Sequence, residues 1–340
     1  MAAFCELVYV ASHMHFCANN GGFPDTNPRS IWHRGTAFTT QVTGTVAHNG
    51  QPGGGYGDMY GQPSPSLINW LPDFDIGTYT GQSQGPWSVS GNTNYVAYGG
   101  EFLHVNGTAQ QGLVRFAVPS LAPKKQGPQV SASAFTRNAL ALSPTTVRVS
   151  WQSNWDRDDE NLIYTVRRNG TAVKTFTYTS QSWNRPTIGW IDTGLSPGTA
   201  YTYRISAADG DGNIAYADNV TATTPTSGND PLSGAYPQDV LAAGASSYWR
   251  LDRLAGASAD ADLAGFNDLT VLGGATSTAG AINGDSDTAL AFNASATNGY
   301  AYSTNPAING PNTFSVSAWF KAGATSGGGK LVGLDRKSVV

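Results

Sequence analysis

Six acidic residues in the middle of the chain are the first candidates for binding a cation. They occur in two stretches: Asp156, Asp158, Asp159 and Glu160, and then Asp209 and Asp211. Carboxylate oxygens are the ligands that Ca²⁺ prefers. The second stretch, Asp-Gly-Asp-Gly-Asn, begins like an EF-hand loop, but Ile214 and Val220 stand where that loop requires glycine and glutamate. An EF-hand is therefore excluded, and calcium binding competes with ordinary turn chemistry, which also favours Asp, Asn and Gly.

A second candidate is a transition-metal site near the amino terminus. His13, His15 and Cys17 occupy alternate positions, so on one strand their side chains would share a face. Histidine nitrogen and cysteine sulfur are good ligands for zinc or copper, and His33 is available to complete the set. The alternative is a polar edge strand without metal. A disulfide between Cys5 and Cys17 is not expected, because a strand between them would hold the sulfur atoms too far apart.

Catalytic residues are harder to find. Glycoside hydrolysis needs two carboxyl groups that face each other across a cleft, and the nearest match is Asp73 with Asp75. Alternate residues of one strand are only about 7 Å apart, so turn or capping roles fit this local pair equally well. Motifs of serine hydrolases, P-loop proteins and zinc proteases are absent. We therefore assign no catalytic residue, and an enzymatic activity, if present, would be that of a glycosidase on polysaccharide.

Three tryptophans are candidates for holding a ligand. Trp155, Trp183 and Trp190 fall in or beside predicted loops, and flat aromatic rings match the C–H faces of pyranose sugars. The alternative role for these rings is packing inside or between strands. A further polar group is interpreted as a solvated loop, with calcium or sugar binding as its alternative: Asp260, Asp262, Asn267 and Asp268.

The composition limits the classes of protein to which this chain can belong. Its 340 residues allow two or three domains. Only 12% are charged and 41 are glycine, which is typical of short strands joined by tight turns. A net charge of −4 without a basic stripe excludes a nucleic-acid partner, and no apolar run is long enough to span a membrane. The first residues lack the pattern of a signal peptide, so we expect an export signal upstream and an extracellular or cell-surface location.

Residues 130–224 carry the clearest strand pattern. The predicted strands are Thr146–Trp151, Leu162–Arg168, Thr171–Thr177, Thr187–Ile191, one that includes Tyr201 and Tyr203, and one from Asn213 onward. With the motif Leu-Ser-Pro-Gly-Thr-Ala-Tyr that ends at Tyr201, this stretch resembles a fibronectin type III domain. The resemblance implies that the Tyr201 hydroxyl bonds to upstream backbone. It also implies that the two acidic loops emerge at the same end of the sandwich.

The amino-terminal part shows a compact repeat-like pattern, YVAYGGEFLHVNGTAQQGLVRF. It predicts one antiparallel sheet of three strands, joined by turns at Gly99-Gly100 and Asn106-Gly107: Tyr95–Tyr98, Phe102–Val105 and Gly112–Phe116. The pattern resembles one blade of bacterial β-propellers, and we interpret residues 1–118 as the last blades of an incomplete propeller. Further strands are predicted at Leu7–Ser12, Leu67–Trp70 and Gly77–Thr80.

The carboxyl-terminal part has three predicted strands: Tyr248–Leu251, Asp285–Phe292 and Phe314–Phe320. They resemble the opening strands of a laminin-G-like, concanavalin A-like jelly roll, which we interpret as truncated over residues 236–334. Segments 119–129 and 225–235, rich in proline, glycine and polar residues, are predicted linkers. Residues 335–340 match the in-frame translation of common sequencing-adapter DNA, and we expect them to be foreign to the fold.

Taken together, the sequence predicts an all-β chain: partial propeller blades, a fibronectin type III sandwich and a truncated jelly roll, as in a fragment of a bacterial secreted multidomain protein. The predicted function is non-catalytic binding or adhesion outside the cell, with a polysaccharide or a cell-surface glycan or protein as partner. The alternative is a set of accessory modules of a secreted polysaccharide-degrading glycoside hydrolase. Calcium is the cofactor that the acidic loops bring into consideration.

Overall fold

The computed structural model describes residues 2–4, 6–49, 57–122, 124–252, 259–272, 275–284, 287–292, 299–303, 313–322 and 331–333. The fold is all-β, as predicted, with small antiparallel sheets and one short α-helix within these ranges. Across the same ranges, no helix has the length and apolar character that crossing a membrane requires.

The N-terminal region, up to residue 122, consists of short strands around an aromatic core. Its elements are β1 (Ala2–Phe4), β2 (Leu7–Met14), a 3₁₀ turn (Ala18–Asn20), β3 (His33–Thr39), β4 (Gly44–Thr45), β5 (Pro63–Ser64), β6 (Pro86–Gly91), β7 (Tyr95–Gly100), β8 (His104–Val105), β9 (Thr108–Ala109) and β10 (Leu113–Ala117). They form the sheets β1-β2-β3 and β10-β7-β6 and the ribbons β4-β5 and β8-β9. Phe74, Tyr98 and Phe102 are almost fully buried, and Trp70 and Phe116 pack against them.

The segment from Tyr95 to Phe116 does not form the single meander that we predicted. Gly99 and Gly100 are not a turn but the end of β7, which pairs with β6 and β10. A Cβ on Gly100 would lie 2.3 Å from the carbonyl oxygen of Gly85, so this glycine permits a close approach of β6. The turn at Asn106-Gly107 is confirmed, since both residues have positive φ, 51° and 72°. It joins β8 to β9 in a separate ribbon.

Two further strand predictions in this region were wrong. Leu67–Trp70 contributes only an isolated bridge from Leu67 to Phe38. The segment Gly77–Thr80 is a loop whose Thr80 N–H donates to the Glu101 carboxylate at 3.0 Å. The strand predicted at Leu7–Ser12 is confirmed and continues to Met14 as β2. The interpretation of residues 1–118 as propeller blades stays a prediction.

Eight strands form a β-sandwich in the middle of the chain. They are β11 (Arg137–Ser143), β12 (Thr146–Gln152), β13 (Asn161–Arg168), β14 (Thr171–Thr179), β15 (Thr187–Thr193), β16 (Ala200–Ala208), β17 (Ile214–Tyr216) and β18 (Val220–Thr223). One sheet has the order β11-β12-β15, and the other joins β14, β13 and β16, with β17 and β18 pairing with β16. This two-sheet arrangement fits the predicted fibronectin type III sandwich.

The two sheets enclose a continuous apolar core. Val147, Val149 and Trp151 on β12 are at most 1% exposed, as are Tyr164 on β13 and Ile205 on β16. Alternate residues of a strand share a face, so the predicted period-2 pattern places all three β12 side chains inside. The rings of Trp151 and Tyr164 meet across the core with centroids 5.9 Å apart.

Two tyrosines on β16 make hydrogen bonds that help to hold the sandwich together. The Ser196 N–H donates to the Tyr201 hydroxyl at 2.9 Å, which confirms the predicted tyrosine corner. The buried Tyr203 hydroxyl donates to Asp192 at 2.8 Å, and Arg168 donates to the same carboxylate at 2.9 Å. Because Asp192 belongs to β15 and its partners belong to the other sheet, this network ties the two sheets together.

The C-terminal region, from residue 235, has one helix and short strands within the described ranges. Its elements are α1 (Ala235–Ala242), β19 (Ala259–Asp260), β20 (Leu269–Val271), β21 (Thr276–Ala279), β22 (Thr288–Ala291) and β23 (Ala301–Tyr302). The sheets are β19-β20-β23 and β21-β22. The helix was not predicted. Pro237 lies in its first turn, where proline is tolerated.

Only one of the three strands predicted in this region is present among the described residues. Strand β22 falls within the predicted Asp285–Phe292, of which residues 285 and 286 lie outside the described ranges. Tyr248–Leu251 forms just an isolated bridge between Trp249 and Asp262, and Phe314–Phe320 is not a strand. The jelly-roll interpretation and the predicted domain boundaries stay predictions.

The C-terminal region contacts the outer face of the sandwich around Arg148 on β12. The Arg148 side chain on β12 is fully buried, and its Nη2 lies 2.7 Å from Asp268 Oδ1. Its guanidinium group stacks on Phe266 at 4.6 Å from the ring centroid. This charged, desolvated contact explains why an arginine in the middle of β12 is buried on the face opposite to the apolar core.

Candidate functional site

The structure brings acidic residues from two loops of the sandwich to one end. The loop between β12 and β13 supplies Asp159, and the turn between β16 and β17 supplies Asp209 and Asp211. One carboxylate oxygen from each of the three lies within 4.8 Å of the others. With Asp156 and Asp158 from the first loop they form what we call the acidic cluster.

Asp209 fixes the shape of the second loop. Its carboxylate is buried and accepts hydrogen bonds from the backbone N–H of Asp211 at 3.0 Å and of Asn213 at 2.8 Å. The Asn213 side-chain amide donates to it as well, at 2.6 Å. Gly212, with φ of 91°, completes the turn in a conformation that other residues rarely adopt. The loop thus holds the carboxyl groups of Asp209 and Asp211 side by side.

A lysine from the predicted linker lies over the acidic cluster. The Nζ of Lys124 is 3.5 Å from Asp159, 3.9 Å from Asp211 and 4.0 Å from Asp158. The Asn213 amide also donates to the backbone oxygen of Gln126 at 3.1 Å, which holds the linker against the loop. Sequence reasoning missed Lys124, because a lysine in a linker carries no local signal for a partner that is distant in sequence.

Within the acidic cluster, Asp156 and Asp158 form a carboxyl pair of which Asp156 is buried. Asp156 is 1% exposed, and the Asp158 N–H donates to its Oδ1 at 3.3 Å. The two carboxyl groups interact through a side-chain hydrogen bond, which favours the protonated form of Asp156 and the ionised form of Asp158. Burial, followed by the interaction with Asp158, raises the pKa of Asp156 to about 7. Burial also raises the pKa of Asp158, although the bond to Asp156 and the charge of Lys124 oppose it.

Glu160 does not join the set with which it was predicted to bind a cation. Its side chain is exposed, and its Oε2 accepts a hydrogen bond from Gln181 at 3.3 Å. The reason is local: Glu160 immediately precedes β13 and lies beside the end of β14, so its side chain follows the sheet edge. The carboxylate oxygens that come together are those of Asp159, Asp209 and Asp211, and calcium binding stays a prediction.

The N-terminal region packs against the loop that carries Asp156. The Leu71 N–H donates to the Arg157 carbonyl at 3.0 Å, and the Asn69 amide donates to the Asp156 carbonyl at 3.4 Å. Arg157 Nη2 also lies 3.8 Å from Asp73 Oδ2. The acidic cluster therefore lies where the N-terminal region, the linker and the sandwich meet.

Asp73 and Asp75, the nearest match to a glycosidase pair, contact different partners in the structure. Asp73 contacts Arg157, whereas Asp75 accepts the N–H groups of Leu103 at 2.7 Å and His104 at 2.8 Å. The His104 ring nitrogen Nδ1 is 2.6 Å from the other oxygen of Asp75. Burial acts to raise the pKa of Asp75, but the bonds from His104 and Leu103 outweigh it and lower that pKa. Both residues thus take structural roles.

The proposed face of His13, His15 and Cys17 is not formed. Strand β2 ends at Met14, and its pairing with β3 shifts register between Ala11 and Met14, so alternation does not continue to residue 17. His15 Nδ1 instead lies 3.2 Å from Asp25. Among the described residues, the only set of three metal-binding side chains that comes together is Asp159 with Asp209 and Asp211. His13, His15, Cys17 and His33 are thus not brought together here, and the histidine and cysteine site stays a prediction.

Cys17 and His33 belong to a small apolar cluster. Cys17 is a buried free thiol, and burial raises its pKa to about 11. The His33 ring packs on Phe23 with centroids 4.0 Å apart, and burial lowers its pKa to about 4. Both groups are consequently neutral at pH 7. Cys5 lies outside the described residues.

The three tryptophans considered for sugar binding are half-buried and have protein contacts. The Arg157 guanidinium lies 5.3 Å from the Trp155 ring centroid. Trp183 packs edge-on against Phe23 at 5.6 Å, and Trp190 packs against the sandwich core. Their role in stacking on sugars stays a prediction, and these contacts favour the packing alternative.

The acidic group predicted to be a solvated loop is buried. Asp260, Asp262 and Asn267 are 1%, 0% and 5% exposed. Asp262 accepts four backbone N–H groups at 2.8 to 3.0 Å, from Tyr248, Ala264, Gly265 and Asn267. Asp268 pairs with Arg148. That interpretation was wrong because Asp262 satisfies the backbone donors of its own loop and of Tyr248, and Asp268 pairs with an arginine that is distant in sequence.

Comparison with curated proteins finds partial relatives, and no protein-family model matches the chain. An Alpha-amylase of Niallia circulans is 29% identical over 205 residues, covering 56% of this chain and 15% of that protein. Chitinase C of Streptomyces lividans is 26% identical over 219 residues, covering 58% and 34%. Exoglucanase B of Cellulomonas fimi is 33% identical over 94 residues, covering 26% and 8%. The chain thus spans a minor part of each of these relatives.

Similar solved structures include single domains and parts of enzymes. The FN5 domain of Drosophila Lar is 18% identical, with 28% of this chain and 98% of that chain covered and a TM-score of 0.19. The Yersinia enterocolitica family 28 exopolygalacturonase is 15% identical, with 27% and 20% covered and a TM-score of 0.21. The fold assignment rests on the strand order and core described above.

Proposed function

We propose that this chain is a non-catalytic, carbohydrate-associated part of a larger polysaccharide-degrading protein that acts outside the cell. The observation that carries the proposal is the set of relatives: an amylase, a chitinase and an exoglucanase share polysaccharide as their substrate class. The chain resembles only a minor part of each of them, which is expected of accessory segments that differently specific enzymes have in common.

The positions of the acidic residues support a non-catalytic role. Asp73 and Asp75 are the carboxylate pair that best matches a glycosidase, yet each has a basic partner: Asp73 lies 3.8 Å from Arg157 and Asp75 lies 2.6 Å from His104. A retaining or inverting glycosidase needs both carboxyl groups free for acid and base or nucleophile roles. We therefore place the chemistry in another part of the protein.

The sandwich acts in this proposal as a spacer between two flanking units. Its core is complete, and polar contacts join it to the N-terminal region through Arg157 and to the C-terminal region through Arg148. We assign residues 130–224 to the spacer, residues 1–118 to the unit before it and residues 236–334 to the unit after it. Such an arrangement sets the distance between a polysaccharide-binding surface and a catalytic unit.

Exposed aromatic rings of the N-terminal region are the best candidates for contact with sugar. Trp87 on β6 is 52% exposed, and Tyr79 in the loop before it is 97% exposed. The Glu101 carboxylate accepts a hydrogen bond from the N–H of Thr80, which holds the loop that carries Tyr79 in place. Flat rings with open faces stack on pyranose sugars, and cell-surface glycans carry the same sugar rings.

Co-sedimentation of the full chain with insoluble chitin, cellulose and starch tests the proposal. We expect binding to at least one polymer and no release of reducing sugar from any of them. Trp87→Ala and Tyr79→Ala should each weaken binding about fivefold to tenfold, because each removes one stacking face. Trp319→Ala is the matched control, since Trp319 is 69% exposed, between Trp87 and Tyr79, but lies in the C-terminal region.

Either of two results would contradict the proposal. Release of reducing sugar by the purified chain would show that it is catalytic. Failure to sediment with any polymer, at protein concentrations up to about 1 mM, would exclude even weak binding. Equal loss on Trp319→Ala would remove the assignment of the sugar contact to Trp87 and Tyr79.

A further inference from the structure

One sheet of the sandwich carries positive charge without any acidic residue. Strands β13, β14, β16, β17 and β18 form this sheet, and their sequences contain three arginines, one lysine and no aspartate or glutamate. The whole chain, in contrast, has a net charge of −4. One of the three arginines, Arg168, binds Asp192 of the opposite sheet. The charges of Arg167, Arg204 and Lys174 therefore have no counterpart on the strands of their own sheet.

Arg167 and Arg204 lie directly opposite each other on the outer face of this sheet. They are paired positions of the adjacent strands β13 and β16, and the next pair, Val166 with Ile205, points into the core. Like charges at directly opposite positions destabilise an antiparallel pair. Six other arginines form ion pairs with aspartates: Arg29, Arg137, Arg148, Arg157, Arg168 and Arg250. Arg167 and Arg204 have no such partner among the described residues, and Asp218, between β17 and β18, pairs with Arg137 instead.

One tyrosine ring lies beside both guanidinium groups. The Cζ atom of Arg204 is 4.5 Å from the centroid of the Tyr216 ring, and that of Arg167 is 5.8 Å from it. Arg204 donates through Nε to the Ala217 carbonyl at 3.1 Å, and Arg167 donates through Nη1 to the Ser206 hydroxyl at 2.9 Å. Each arginine is thus held by the fold through one nitrogen, while Arg204 is exposed and presents its two terminal nitrogens outward.

Two pairs of threonines lie beside the arginines on the same face: Thr165 with Thr175, and Thr202 with Thr221. Their hydroxyl oxygens are 3.4 Å apart in the first pair and 3.1 Å apart in the second. Thr165 and Thr202 each precede an arginine by two positions, and alternate residues of a strand share a face. The face therefore combines fixed positive charges with neutral groups that donate and accept hydrogen bonds.

We propose that this arginine face, defined by Arg167, Arg204 and Tyr216, binds a polysaccharide that carries carboxylate groups, a polyuronate. A guanidinium group is a planar fork of donors that matches the two oxygen atoms of a carboxylate. The threonine hydroxyls supply hydrogen bonds for the hydroxyl groups of the sugar rings. The choice of a polysaccharide as carrier of the carboxylates rests on the proposed function, but the arginine face is a different surface from that of Trp87 and Tyr79.

Binding of polygalacturonate to the full chain, measured by isothermal titration calorimetry, tests the proposal. We expect saturable binding at about 20 mM salt that weakens as salt is raised to about 0.3 M, because exposed charges are screened. Fully methyl-esterified polygalacturonate has the same sugar backbone without the charge, and it should bind at least about tenfold more weakly. Because the net charge of the chain is negative, general charge attraction does not explain such a result.

Four variants identify the residues of the arginine face. Arg167→Gln and Arg204→Gln should each weaken binding of polygalacturonate about fivefold, the upper range for one exposed ion pair. Arg204→Lys keeps the charge but not the planar fork, so it should recover only part of that loss. Arg115→Gln is the matched control and should change nothing. Arg115 is also an exposed arginine over a tyrosine, 4.3 Å from the Tyr95 ring centroid, but it lies in the N-terminal region.

Several results would overturn the proposal. Absence of binding at up to about 10 mM uronate would exclude the site. Equal binding of the methyl-esterified polymer, or an equal loss on Arg115→Gln, would show that the arginine face does not recognise carboxylates. Tighter binding of dextran sulfate than of polygalacturonate would assign the face to a sulfated polymer instead. The proposed function is tested separately, since it depends on neutral polymers and on Trp87 and Tyr79.

Discussion

The sandwich and the C-terminal region both contain segments with alternating apolar residues, but the two regions fold in different ways. Strands of the sandwich such as β13 and β16 have eight and nine residues, and each finds partners along most of its length. Strands of the C-terminal region have two to four residues within the described ranges. The sandwich is organised by an apolar core, whereas the C-terminal region is organised largely by buried carboxylates.

The difference shows that alternation of apolar residues is not sufficient for a strand. Thr146–Trp151 and Phe314–Phe320 both carry apolar residues at alternate positions. The first lies between two partner strands and buries Val147, Val149 and Trp151 completely. The second has no strand partner among the described residues, and Trp319 is 69% exposed. Pairing and a facing sheet are what turn the pattern into structure.

Replacing one tryptophan by alanine in each region should give the largest difference in stability between the two regions. Trp151→Ala removes a ring that is 1% exposed, so it should cost the sandwich about 3–5 kcal/mol. Trp319→Ala removes an exposed ring and should cost about 0.5 kcal/mol. Calorimetry of the full chain should show the sandwich transition fall by at least about 10 °C in the first variant.

A similar loss from both variants would contradict the comparison. It would mean that Trp319 is packed in solution as tightly as Trp151. A conservative Trp151→Phe variant should restore part of the loss, because it refills much of the cavity beside Tyr164.

Sequence reasoning predicted the sandwich well because its signals agree with one another. Strand pattern, turn chemistry and the tyrosine corner all indicate the same fold in Thr146–Tyr203. It failed at Gly99-Gly100, where glycine serves a close contact with Gly85 rather than a turn. Glycine types alone do not distinguish these two uses, since the neighbour that needs the space comes from another strand.

The acidic cluster was predicted only in part, again because some of its contacts involve residues that are distant in sequence. The fold places the loops of Asp159 and Asp209 at one end, which a resemblance to a sandwich is enough to indicate. Lys124 reaches the cluster because the linker folds back against the loop of Asn213. The Glu160 side chain lies apart from the cluster because Glu160 is at the sheet edge. His13 and Cys17 do not share a strand face, because a register shift and a strand end at Met14 interrupt the alternation.

Removing one carboxylate should test whether polar groups organise the C-terminal region. Asp262→Ala leaves four backbone N–H groups without their acceptor and should destabilise that region by about 2–4 kcal/mol. Hydrogen exchange measured by mass spectrometry should show faster exchange in peptides that contain β20 but not in those that contain β13. Asp239→Ala, an exposed acid on α1, is the control. Unchanged protection of β20 would mean that apolar contacts suffice there.

The smallest predicted effect is a dependence of C-terminal stability on pH. Burial raises the pKa of Asp252 to about 7, and the nearby carboxylates of Asp287 and Asp260 add to it. An unfolded aspartate has a pKa of about 3.9, so between that value and about 7 the folded chain holds a proton that the unfolded chain has released. The contribution of Asp252 is therefore greatest at low pH and is lost as pH rises toward 7. Asp252→Asn copies the protonated form, so its melting temperature relative to that of the wild type should increase from pH 5 to about pH 7 and level off by pH 8. A difference that stays constant over this range would show that the Asp252 carboxyl is not held protonated by its surroundings.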